Sequence, residues 1–100
     1  AERLDLLSCP PLTFAPPDGD AFPCLRLAEA AAAQGGTACA VLNGANEEAV
    51  GLFLADRIGF HDIPRLVAEA RAVVAVQQDP ALEDILAADQ AARQAVLDRA

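Results

Sequence analysis

Apolar residues recur along this chain at spacings of three and four, the period that places them on one face of a helix. The cleanest run is Ile63, Leu66, Val67, Ala70, Val73 and Val74, which predicts an amphipathic helix opening at Ile63-Pro64 with Asp62 as its cap. A second run is centred on Val41-Leu42-Asn43-Gly44-Ala45-Asn46-Glu47-Glu48-Ala49-Val50. At about 100° per residue, Leu42, Ala45, Asn46, Ala49, Val50 and Phe53 share one face, with Asn43, Glu47 and Leu54 along its border. Asn46 is therefore expected to point into the core. A buried amide without partners costs roughly 1 to 3 kcal/mol, so something must bond it: another segment of this chain, a missing domain or a ligand.

Turn and cap residues set the boundaries. Asp18-Gly19-Asp20 turns the chain, with Asp20 placed as the N-cap and Phe22 and Pro23 in the first turn of a helix over about residues 21–34. Gly35 and Gly36 end that helix as a left-handed C-cap. Thr37 is placed to cap the next one, which runs to about Arg57 unless Gly44 and the two Asn break it. Gly59 closes it, Asp62 opens the third, and Asp79-Pro80 repeats the cap-then-proline signal before Leu82, Ile85 and Leu86. Asp89 is placed to cap a last helix carrying Ala92 and Val96; without a break there, the preceding helix simply continues. No internal repeat, heptad pattern or strand-like alternation occurs. The expected fold is all-α, a small bundle of four or five short helices over residues 21–100, preceded by an extended Pro-rich arm over residues 1–20. In the arm, Pro10, Pro11, Pro16 and Pro17 forbid a regular helix. Its Leu4, Leu6, Leu12 and Phe14 favour docking on a neighbouring surface over a solvated tail.

Composition narrows the picture. One hundred residues make one domain, with a core built mainly from Leu, Ile, Val and four Phe, since Trp, Tyr and Met are absent. A formal net charge of -8 repels phosphate backbones and anionic lipid, which argues against nucleic-acid and membrane partners. No apolar run suffices to span a bilayer and the first residues lack the pattern of a signal peptide, so a soluble, cytoplasmic protein is expected. Cys9, Cys24 and Cys39 are widely spaced and lack a zinc pattern, as expected of reduced thiols.

Few residues invite chemistry. His61 is the only histidine and Ser8 the only serine, and neither has a triad partner near in sequence. Glu47 and Glu48 point to different helix faces, while Asp18, Asp20, Glu83, Asp84 and Asp89 stand where turns and helix starts favour acidic residues. No metal site is expected. Gly35-Gly36-Thr37 could offer amides to a phosphate, but it lacks a following Lys and a preceding strand. Asn43, Asn46 and Glu47 remain as a polar cluster with two readings. One is structural, with the trio tying its helix to the arm or a neighbouring helix. The other has it close over a ligand held mostly by another domain, and spacing favours the structural reading.

Several pieces in order resemble the C-terminal region of the 1-deoxy-D-xylulose 5-phosphate reductoisomerase family. They are Leu12-Thr13-Phe14, Pro17-Asp18, Phe22-Pro23-Cys24-Leu25-Arg26-Leu27-Ala28, Gly35-Gly36-Thr37, Ala40-Val41-Leu42-Asn43-Gly44-Ala45-Asn46-Glu47, Ile58-Gly59-Phe60 and Asp62-Ile63-Pro64. The family usually carries alanine where this chain has Gly44, and beyond Val76 the likeness is looser. The resemblance implies a parent enzyme with a dinucleotide-binding domain, a central domain holding substrate and a divalent metal, and a helical C-terminal domain on a linker. It further implies that the homodimeric parent rearranges and reduces 1-deoxy-D-xylulose 5-phosphate to 2-C-methyl-D-erythritol 4-phosphate with NADPH and Mg²⁺ or Mn²⁺. This chain resembles the linker and helical domain only. None of the family's catalytic, cofactor-binding or metal-binding residues has a counterpart in it, and the missing domains are its expected partners. The alternative is a free-standing helical module that binds another protein.

Overall fold

The computed structural model describes all 100 residues and contains four helices and no strand. These are α1 (Cys24–Gln34), α2 (Ala38–Leu54), α3 (Asp62–Val73) and α4 (Leu82–Arg99). The first 23 residues form only turns and irregular backbone. Leu4, Leu6, Leu7, Leu12 and Phe14 there are all exposed.

Helix α2 is central, packing against α1, α3 and α4. Its Val41, Ala45, Ala49 and Leu52 join Ile63, Leu66, Val67 and Ala70 of α3 and Ala88, Ala92, Ala95 and Val96 of α4 in one core. The buried face of α2 is thus rotated from the expected one. Ala45 and Ala49 are buried as read, but Val41, Gly44 and Leu52 take the places expected for Leu42, Asn46, Val50 and Phe53, which are only half-buried. The physical reason is that small residues face α4: Gly44 lies so close that an added Cβ would stand 2.9 Å from the Asp89 carbonyl oxygen. The helix runs through Gly44 without a break and ends at Leu54 rather than Arg57. There Asp56 turns left-handed at φ 56°, and the Arg57 N–H donates back to the Leu52 carbonyl.

Each acidic residue expected as a cap acts differently. Asp18, not Asp20, holds the turn before α1, its Oδ1 accepting the N–H groups of Asp20 and Ala21, and the helix starts at Cys24 rather than near Ala21. Asp20 instead pairs with Arg26 in solvent. Asp62 is the first residue of α3, and its carboxylate reaches back to the Gly59 N–H at 2.9 Å while holding Arg65. Asp79 lies at φ 50°, outside the helix that follows, and the Asp84 carboxylate takes the Ala81 N–H at the start of α4. Asp89 caps nothing: α4 is continuous through it, and its carboxylate binds Arg93 one turn on, so the fifth helix does not exist.

Thr37 departs from its expected cap in the same way. Its hydroxyl accepts the Gln77 N–H at 2.9 Å, and its own N–H donates to the Gln77 carbonyl at 3.0 Å. The turn between α1 and α2 is thereby fastened to the connection between α3 and α4. Gly35 and Gly36, at φ 72° and 56°, supply the left-handed backbone that ends α1. An added Cβ on Gly36 would collide with the Gln77 carbonyl, so the two connections touch only because this position has no side chain.

Candidate functional site

Because α4 covers the small-residue face of α2, its bulkier side chains are left facing α1 and α3. Two concavities form there and meet at Cys24 and Asn46. The first, of about 210 Å³, lies among Phe22, Val50, Phe60, Ile63 and Pro64. The second, of about 320 Å³, lies among Leu25, Ala28, Leu42, Asn43 and Val67. Phe60 is set edge-on to Phe53 at 5.8 Å and to His61 at 5.6 Å, which fixes the outer wall. The lining of this continuous groove contains no Asp, Glu, Lys or Arg. Burial pushes the Cys24 thiol above its ordinary pKa, as an uncharged surrounding should.

The structure divides the polar trio read from the sequence. Asn43 is exposed at the groove's edge. Asn46 is half-buried on the groove floor, and its side chain makes no hydrogen bond within the chain. No buried side-chain polar atom lacks a partner, so its amide retains solvent contact. Glu47 turns the other way, toward α4, and accepts a hydrogen bond from Arg93 Nη2 at 2.6 Å. Arg93 holds the Glu47 carboxyl below the usual range, with Asn43 adding less, and Asp89 and Glu47 together raise the Arg93 guanidinium above its ordinary value.

Two participants escaped the sequence reading. Arg93 fastens α2 to α4, and Asp89 at i−4 was the available signal for its position. Cys24 joins the two halves of the groove, and nothing in its spacing announced that.

His61, exposed in its turn, lines the groove beside Phe60. The other candidates are dispersed: Ser8 donates to the Asp5 carbonyl within the first segment. No three His, Cys, Asp or Glu side chains gather as metal ligands. Of the amides around Gly35-Gly36-Thr37, those of Gly35, Thr37 and Ala38 are taken by the Ala31, Gln77 and Gly35 carbonyls. A third depression, of about 390 Å³, borders the α3–α4 connection, but its Thr37 and Asp84 are already bonded to Gln77 and Ala81.

The chain has close counterparts among known proteins. A family profile described as "DXP reductoisomerase C-terminal domain" matches residues 1–95. A 1-deoxy-D-xylulose 5-phosphate reductoisomerase from a Cyanothece species is 55% identical over 97 residues, covering 95% of this chain and 25% of the relative. One of the same name from Acetivibrio thermocellus is 48% identical over 94 residues, again covering 25% of its length. Among solved structures, the Zymomonas mobilis reductoisomerase in complex with NADPH superimposes with a TM-score of 0.89 at 37% identity, over 99% of this chain and 26% of that one. This chain therefore spans about a quarter of the length of the relatives it matches.

Proposed function

We propose that this chain, which belongs to the DXP reductoisomerase C-terminal domain family, serves as the non-catalytic helical domain of a longer reductoisomerase. The match over residues 1–95 carries this reading. The parent would rearrange and reduce 1-deoxy-D-xylulose 5-phosphate to 2-C-methyl-D-erythritol 4-phosphate with NADPH. Residues 1–20 would be its Pro-rich linker arm and residues 21–100 its terminal bundle, in a cytoplasmic homodimer. No helix here is long and apolar enough to cross a membrane.

On this reading the side chains of this domain hold neither NADPH nor a divalent metal. The groove carries no Lys or Arg for a phosphate, and no three His, Cys, Asp or Glu side chains come together. In the proposed parent, Mg²⁺ or Mn²⁺ and the dinucleotide would be held by the preceding domains, and Asn43, Asn46 and Glu47 would have structural roles. Glu47 would brace α4 through Arg93, while Asn43 and Asn46 would stand ready to contact the rest of the polypeptide.

The test joins this chain to the first three-quarters of the Cyanothece relative, replacing the matching quarter, and follows NADPH oxidation with substrate and Mg²⁺. The joined enzyme should turn over and the isolated chain should not. Turnover by the chain alone would overturn its non-catalytic assignment, and an inactive joined enzyme would overturn the family role.

A further inference from the structure

The groove between α1, α2 and α3 departs from an ordinary solvated depression in three respects. Its lining carries no Asp, Glu, Lys or Arg, although 22% of the chain is charged. Phe22 and Phe60 stand at its rim 59% and 52% exposed. Asn46, on its floor, has an amide that nothing in the chain bonds. Depletion of charge with exposed aromatics describes the core of an interface. An asparagine amide, with donor and acceptor side by side, matches one peptide group of an extended strand. The 210 Å³ beside Phe22 and Phe60 is ample for a ring-sized group, since about 150 Å³ admits benzene.

On the reading that this chain is the terminal part of a longer reductoisomerase, we propose that the groove seats an extended, uncharged segment from the preceding part of the same polypeptide. One apolar side chain enters between Phe22 and Phe60, and one peptide group pairs with the Asn46 amide. Position argues for this occupant. Ala21, Phe22 and Pro23, through which the preceding chain enters α1, themselves line the groove, and the matched relatives are about four times as long. A second copy is a poorer candidate, because two chains of charge -8 repel. The chain's own first segment leaves the groove open, with Leu12 and Phe14 at 84% and 92% exposure.

Cys24 lines both halves of the groove and Cys39 is exposed away from it, so the chain holds a reporter and a reference. Iodoacetamide labelling at each thiol is followed by mass spectrometry in the isolated chain and in the enzyme joined to the Cyanothece three-quarters. The ratio of Cys24 to Cys39 labelling should fall at least about tenfold on joining. Phe22→Glu, a change outside the helices that puts a carboxylate at the rim, should restore it. A ratio unchanged in an active joined enzyme overturns the inference and leaves the domain assignment standing. Cys24 labelling in the isolated chain that rises on dilution, or on deletion of residues 1–20, overturns it in favour of a second copy or the chain's own arm. If the unsubstituted joined enzyme is inactive, the domain assignment falls and takes the inference with it.

Discussion

The two faces of α2 are built by opposite means. Toward α4 the helix presents Gly44, Ala45 and Ala49, and α4 answers with Ala88, Ala92 and Ala95, so the backbones approach until Asp89 touches Gly44. Toward α1 and α3 it presents Leu42, Asn46, Val50 and Phe53, all half-buried. Helix α1 has 11 residues against 17 in α2. At about 1.5 Å per residue, it is too short to cover that face. Small residues close one side without leaving space, whereas large ones under a short helix leave a groove. Total hydrophobicity distinguishes the two sides poorly; side-chain size and helix length distinguish them well.

Two glycines on the same side of α2, one under α4 and one in open space, test the closed face. At Gly44 an added Cβ would stand 2.7 Å from an Asp89 carboxylate oxygen and 2.9 Å from the Asp89 carbonyl oxygen, and the carbonyl belongs to a helix that can yield only as a whole. Overpacking costs about 1 to 3 kcal/mol, and the helix preference for Ala over Gly returns up to about 1. Gly44→Ala should therefore lose about 1 to 2 kcal/mol in a urea titration. A neutral or more stable variant would show that the α2–α4 spacing yields readily.

Gly51, in the same helix, has nothing within 4 Å of the position where a Cβ would stand. Gly51→Ala should gain roughly 0.5 to 1 kcal/mol from the backbone alone. The same chemical change thus has opposite signs seven residues apart. If both variants raise the midpoint, local helix preference outweighs packing at Gly44, and the close approach of α4 does not govern that side of the helix.

Much of this arrangement was legible in the chain. Periodicity located α3 to within a residue, and Gly35-Gly36 correctly ended α1, because helical spacing and positive-φ glycine are local properties. The orientation of α2 was not legible. With apolar residues on nearly every side, its own pattern does not say which face a partner will take, and α4 settled that by meeting Gly44. The caps failed for a related reason. Asp18, Asp62 and Asp84 do bind backbone N–H groups, but which one each reaches depends on a turn geometry that residue type leaves open. Asp89 resembled a helix start only while its partner Arg93 was out of view. Asn46 was expected to be buried and bonded, and its half-buried, unbonded state follows from the rotation of α2.

The clasp that holds the closed face should show a pH dependence of known sign. Arg93 lowers the Glu47 carboxyl in the folded state, whereas an unfolded glutamate titrates near about 4.3. A group whose folded pKa is depressed stabilises above its unfolded value and loses that contribution as pH falls through the folded one. Glu47→Gln should therefore be slightly less stable than the parent chain at neutral pH, by less than the glycine effects. The difference should shrink as the pH falls below about 4.3 and vanish once Glu47 is protonated in the folded parent. Asp62, also depressed by the Gly59 N–H and Arg65, will keep part of the acid sensitivity in both proteins, so the difference between the two titrations is the informative quantity. Added salt should reduce that difference at neutral pH, since Glu47 is about half exposed. A gap that stays constant from neutral to acid pH would mean that Glu47 braces α4 by packing rather than by charge. In that case the closed face would owe its order to its small residues alone.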